Sequence, residues 1–260
     1  MEQILNISAY LFTDLGDPSA MRQSLYERAL AHELKGTVLL AREGINLFLA
    51  GRPHAVRAWL DETRADPRLA TLQSKESWSP APPFRHLRVK VKGEIIRMNH
   101  PAIRPALGRA PALSAQTVKR WLDQGHDDQG RAVVTLDTRN AFEVDHGGFE
   151  GAIDWRLSKF SDFPAAARQH LDTLRDKTVI SYCTGGIRCE KAAIYLKELG
   201  LDSVYQIEGG ILKYFEEVGG AHYRGACFVF DEREALGNDL KPASNHDLPQ
   251  DQTLANLAAT

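Results

Sequence analysis

One short segment restricts the fold of this chain more than any other. Val179-Ile180-Ser181-Tyr182 is a strand-like run that ends on Cys183-Thr184-Gly185-Gly186-Ile187-Arg188 and passes straight into helical sequence ending at Leu199-Gly200. Similar runs lie on either side of it. Val133–Leu136 ends in Asp137-Thr138-Arg139, and Val204–Ile207 ends in Glu208-Gly209-Gly210. A helix over Ser114–Leu122, with Ser114 as its N-cap, opens this half of the chain. Strands that alternate with helices predict an α/β domain with a parallel sheet. Ligands of such sheets gather at the carboxyl ends of the strands, where Cys183 sits.

The residues after Cys183 suit an anion. Gly185 and Gly186 let the chain curl without steric penalty. Successive N–H groups of Thr184, Gly185, Gly186 and Ile187 can then face the sulfur as a nest. The following helix adds the positive end of its dipole, and Arg188 supplies a fixed cation. Each favours thiolate over thiol, the nucleophilic form. Each would equally favour a terminal persulfide, Cys–S–S⁻. The plain alternative is a buried cysteine followed by an ordinary strand-to-helix turn.

The N-terminal half follows a different pattern. A strand over residues 4–12 precedes a helix opened by Asp17-Pro18-Ser19, running to Leu34 and ended by Gly36. Strands Thr37–Ala41 and Ile45–Ala50 flank the turn Arg42-Glu43-Gly44. A second helix starts near Pro53 and breaks at Asp66-Pro67, and the final strand lies within His86–Ile96. The order βαββαβ predicts a ferredoxin-like α+β domain. The expected organisation is therefore a ferredoxin-like domain over 1–98, a proline-containing linker over 99–113, the α/β domain over 114–236 and a tail over 237–260. The tail is read as poorly ordered or as a short docking helix.

Composition excludes several classes. The net charge is -2 with a pI near 6.5, so nucleic acid would have to bind a local basic patch. Arg88, Lys90 and Lys92 share one face of a strand, and Arg85 and Arg97 flank them. They are either a phosphate-binding stripe or a solvated face that discourages edge pairing. No DNA partner is expected. No apolar run approaches the ~20 residues of a membrane helix, and no signal-like leader is present, so a cytoplasmic protein without a membrane partner is expected. Three cysteines without a CxxC pair predict free thiols and no metal site. The absence of GxGxxG leaves no cofactor identifiable, and nothing fixes the oligomeric state.

The motifs taken together resemble a known family. Asp137-Thr138-Arg139, with Glu143, Gly151 and Ala152, resembles the rhodanese signature, and the Cys183–Arg188 spacing is that of sulfurtransferase loops rather than the longer phosphatase loops. Ala41-Arg42-Glu43-Gly44-Ile45-Asn46, the string from Cys183 to Ala192, Glu208–Tyr214 and Cys227–Arg233 resemble, in that order, the rhodanese-like, oxygen-dependent tRNA wobble-uridine hydroxylases. The resemblance implies C5 hydroxylation of the anticodon uridine to 5-hydroxyuridine, with Cys183 and Arg188 catalytic and molecular oxygen as co-substrate. It also implies tRNA contacts at Arg85, Arg88, Lys90, Lys92 and Arg97, and a substrate role for Glu43 and Asn46. Asp137, Arg139, Glu190 and Lys191 are candidates for supporting the site, each with a structural alternative. Cys189 reads as a resolving thiol or as helix packing, and Cys227 as packing. The alternative function is a sulfurtransferase working through a Cys183 persulfide. A non-enzymatic rhodanese-fold module is disfavoured by the cysteine itself.

Overall fold

The structure is a computed structural model that describes residues 3–244. The described chain forms two compact units. One contains the residues up to 97 together with 104–107, and the other contains 98–103 and the residues from 108 onward.

The first unit contains β1 (Ile4–Phe12), α1 (Pro18–Ala31), β2 (Lys35–Ala41), β3 (Gly44–Gly51), α2 (Pro53–Arg64), β4 (Ser74–Ser79) and β5 (Leu87–Val91). Their sheet order is β4-β1-β3-β2-β5. Neighbours are antiparallel except for the β2–β5 pair. The expected βαββαβ fold is present, but its fourth strand is Ser74-Lys75-Glu76-Ser77-Trp78-Ser79. The run assigned to that role from the sequence, Leu87–Val91, is instead a fifth strand added at the far edge of the sheet. The true fourth strand pairs on one side only. It needs no apolar alternation, and its polar sequence hid it. α1 also ends earlier than expected, because Glu33 adopts a left-handed conformation with φ 55°.

The core of this unit is apolar. Leu5, Ile7, Val38, Leu40, Leu47 and Leu49 from the sheet meet Leu25, Val56, Trp59 and Leu60 from the helices. Full burial of a large apolar side chain contributes roughly 1.5–3 kcal/mol. The Trp59 indole N–H, fully buried, donates to Leu25 O at 3.4 Å, so its polar atom is satisfied. Gly44, at φ 144°, opens β3 where a Cβ would lie 2.0 Å from Leu11 O. The turn before it therefore requires glycine.

The second unit contains β6 (Ala112–Leu113), α3 (Ala115–Gln124), β7 (Val133–Asp137), α4 (Ala141–Val144), β8 (Gly147–Phe149), β9 (Ile153–Asp154), α5 (Phe163–His170), β10 (Thr178–Tyr182), α6 (Ile187–Glu198), β11 (Val204–Ile207), α7 (Gly210–Val218), β12 (Tyr223–Gly225), β13 (Cys227–Phe228) and β14 (Ala235–Leu236). Its main sheet is parallel, in the order β6-β11-β10-β7-β9. β10 lies at the centre with all five residues buried, as expected of a strand covered on both faces. Ser114 caps α3 by accepting from Thr117 N at 3.2 Å.

The proline-containing stretch expected as a linker does more than connect. It supplies β6 to this sheet, and Ile103 and Ala110 are buried. The start of the expected tail, 237–244, turns back on β14 through Gly237 N–Lys241 O and Ala243 N–Ala235 O bonds, both 2.9 Å. Its remainder lies outside the described residues. No helix among the described residues is long and apolar enough to cross a membrane.

Candidate active site

β10 delivers Cys183 to the carboxyl edge of the sheet, and the chain turns through Gly186 (φ 100°) into α6. Gly186 N donates to Cys183 Sγ at 3.1 Å. Burial alone would push the Cys183 thiol up. The Cys189 thiol, the Arg188 charge and the amides at the start of α6 outweigh it and hold the group well below its ordinary range. The sulfur has no solvent exposure. The direction a side chain would take from Gly185 is open, with no heavy atom within 4 Å.

Arg188 is held by a partner that the sequence does not reveal. Its Nη1 and Nη2 grip Glu143 of α4 at 2.5 and 2.7 Å, and both side chains are buried. Burial would weaken the guanidinium's hold on its proton, but Glu143 and the Cys183 sulfur reverse this and raise its pKa. Its Nε is buried without a hydrogen-bond partner. Glu143 also accepts from Asn140 N at 3.0 Å and from Thr184 Oγ1 at 3.4 Å. One carboxylate thus ties α4, the loop and its arginine together. In sequence it stands out only as the glutamate of the rhodanese-like signature.

Asp137 and Arg139 form a second buried pair. Arg139 Nη2 donates to Asp137 Oδ2 and Gly147 O, both at 2.6 Å, and Arg139 lies 5.7 Å from the Tyr182 ring centre. This pair joins β7 to β8, so its visible contacts are those of a brace. Glu190 and Lys191 are also buried, at 2% and 1% exposure, rather than solvated at the start of α6, and Glu190 pairs with Arg109.

α7 closes the loop from the other side. Ile211 N donates to Cys183 O at 3.0 Å and Leu212 N to Thr184 O at 3.1 Å. Gly210, at φ 70°, makes this approach possible. A Cβ there would lie 2.4 Å from Cys183 O and 2.7 Å from Gly186 N.

Cys189 lies closer to the chemistry than its helical face suggests. Its sulfur is 3.9 Å from that of Cys183 and donates to Gly186 O at 2.9 Å. Burial and the Cys183 sulfur push its thiol well up. Cys227 is buried beside Phe228, and burial pushes it up to about 12. Three phenylalanines border the loop. Phe142, Phe228 and Phe230 pack edge to face with centroids 5.1–6.4 Å apart, and Arg188 lies 5.9 Å from the Phe230 ring centre. Phe142 and Phe230 are each almost half exposed. Phe228 and Phe230 lie in the Cys227–Arg233 motif, but nothing in the sequence alone gives these rings a role.

In the first unit, Arg85, Arg88, Lys90, Lys92 and Arg97 are all exposed. Glu43 and Asn46 both reach one residue. Glu43 Oε1 accepts from Ile95 N at 2.7 Å, and Asn46 Nδ2 donates to Ile95 O at 3.3 Å. They anchor the segment after β5.

Two family models match the chain. One describes a UPF0176 acylphosphatase like domain over residues 4–95, the other a Rhodanese-like domain over residues 114–217. A tRNA uridine(34) hydroxylase of Delftia acidovorans is 65% identical over 240 residues, covering 92% of this chain and 91% of that protein. A protein of the same name from Variovorax paradoxus is 63% identical with the same coverage. A rhodanese-like domain from Anabaena, solved by NMR, is 18% identical with a TM-score of 0.37, covering 52% of this chain and 86% of that one.

Proposed function

The chain belongs to the tRNA uridine(34) hydroxylase family, and we propose that Cys183 is the group by which it acts on the wobble uridine of tRNA. The enzyme is a tRNA-modifying oxidoreductase. The relatives bear the name of hydroxylases, which disfavours the sulfurtransferase alternative.

The observation that carries the proposal is the buried Cys183 sulfur, which accepts from Gly186 N at 3.1 Å and lies 3.9 Å from the Cys189 sulfur, with the Cys189 thiol and the Arg188 charge lowering its pKa against the effect of burial. A thiolate added to uridine C6 makes C5 electron-rich toward an oxidant. Dioxygen is the co-substrate in this reading, and the product is 5-hydroxyuridine. The Arg188–Glu143 pair fixes the cation in place before the base arrives. The base stacks on the exposed faces of Phe142 and Phe230, since single-stranded bases are bound on aromatic side chains. Arg88, Lys90 and Lys92 neutralise anticodon-arm phosphates, with Arg85 and Arg97 adding to the field.

Nucleoside mass spectrometry of tRNA tests the reading. A strain lacking this gene and any redundant pathway should lose wobble 5-hydroxyuridine and its derivatives, and the wild-type gene should restore them in air but not under anoxia. With purified components, Phe142→Ala/Phe230→Ala should raise KM more than it lowers kcat. Charge removal at Arg88, Lys90 and Lys92 should flatten the salt dependence of tRNA binding by about 0.7 per lost contact. Unchanged wobble nucleosides in the deletion strain would remove the basis of the proposal.

A further inference from the structure

Cys183 and Cys189 are six positions apart and both fully buried, with sulfurs separated by 3.9 Å. A disulfide bond is about 2.05 Å long, so the sulfurs have to close by about 1.9 Å. Two glycines, the residues with the freest backbone, lie between them. Gly185 has open space where a side chain would be, and Gly186 turns at a φ that few other residues adopt. Cys227 offers a contrast within the same unit. Its sulfur donates to Phe228 O at 3.7 Å, and the Thr184 hydroxyl also acts on it.

The electron count of the proposed reaction gives this pair a task. When dioxygen replaces C5–H by C5–OH, one oxygen atom stays on the ring. The other must be reduced to water, which takes two electrons from a donor. A dithiol closing to a disulfide releases two electrons. We infer that Cys183 and Cys189 are that donor, so that Cys189 is a second catalytic thiol and each hydroxylation leaves a Cys183–Cys189 disulfide. This inference rests on the oxygen-dependent reading above.

The step balances. The O–O bond breaks and a C5–OH bond forms; loss of the C5 hydrogen as a proton then expels Cys183 from C6, which breaks the C6–S bond, restores the C5–C6 double bond and returns the Cys183 thiolate. The Cys189 S–H bond breaks and the sulfur–sulfur bond forms with the Cys183 thiolate. The proton lost from C5, the Cys189 proton and one solvent proton complete the 5-hydroxyl and one water molecule. The sulfurs are oxidised by two electrons, and the ring by two. Dioxygen accepts all four. An external thiol reductant then reopens the disulfide for the next turnover by exchange through a mixed disulfide.

The experiment is a single turnover of the full-length, fully reduced enzyme freed of reductant, with excess unmodified tRNA in air. The expected result is about one hydroxylated uridine per chain, set by the single dithiol. Two thiols should be lost, with Cys227 still free and a Cys183–Cys189 bridge found by peptide mass spectrometry. Added dithiothreitol should restore repeated turnover. Cys189→Ser should bind tRNA with unchanged Kd, form no bridge and lose at least about tenfold of the product amplitude. The wild-type thiol count needs no variant, so misfolding of Cys189→Ser cannot rescue or sink the inference. Product formed with all three thiols still free overturns it. No product from wild type at saturating tRNA and dioxygen overturns the hydroxylase reading, and this inference with it.

Discussion

Cys183→Ala should lower wobble-uridine hydroxylation by at least about 10³-fold, as expected when a nucleophile is deleted, while the protein still folds. Removing one buried sulfur leaves a small cavity worth about 1 kcal/mol, so thermal unfolding should shift only slightly. The same variant reports the charge state of the sulfur. Because the Cys189 thiol, the Arg188 charge and the amides at the start of α6 outweigh burial and lower the Cys183 pKa well below the ordinary thiol value, its proton leaves at lower pH than that of a free cysteine. Rate and thiolate absorbance should therefore rise and level off at lower pH than those of an ordinary thiol. An ordinary thiol with a pKa near 8.5 is only a few per cent ionised at about pH 7 and would still be rising there. The ultraviolet difference between wild type and Cys183→Ala measures this directly. A difference that vanishes at neutral pH would mean that the loop does not stabilise an anion.

The second large effect is on stability. Glu143→Gln should destabilise the rhodanese-like unit by roughly 3–5 kcal/mol, because it leaves the buried Arg188 cation without its counter-charge. The glutamine retains an oxygen for Asn140 N, so the loss isolates the charge rather than the cap. Denaturant titration gives the value. Hydroxylation should fall as well, since Arg188 would no longer be held in place beside the sulfur. Replacing both partners with apolar residues of similar volume should recover stability without recovering activity. An unfolding midpoint for Glu143→Gln equal to wild type would falsify the role given to the pair.

The site was legible from the sequence where its parts are adjacent in the chain. A strand ending in cysteine, two glycines and an arginine at the head of a helix predicts a strand–loop–helix turn around the sulfur, and the structure contains that turn, with Gly186 N as the amide of the expected nest that donates to the sulfur. Glu143 was not legible as its clamp, because 45 residues separate it from Arg188 and only the tertiary fold joins them. Cys189 shows the limit of helical periodicity. Its spacing with Ala192, Ala193 and Leu196 points to packing, but the first turn of α6 also faces the loop it caps. In the N-terminal unit the apolar alternation of β1, β2 and β3 reads clearly. β4 does not, since an edge strand can be as polar as Ser-Lys-Glu-Ser-Trp-Ser. The mistaken fourth strand followed from that gap, because Leu87–Val91 offered the better alternation.

Gly210 and the two amides after it have a consequence for how the enzyme is made. They hold Cys183 O and Thr184 O from a segment synthesised more than twenty residues later. Until that stretch has left the ribosome and docked, the nascent chain lacks these two contacts to the loop. The loop around the sulfur is thus completed only once the chain has been made through α7.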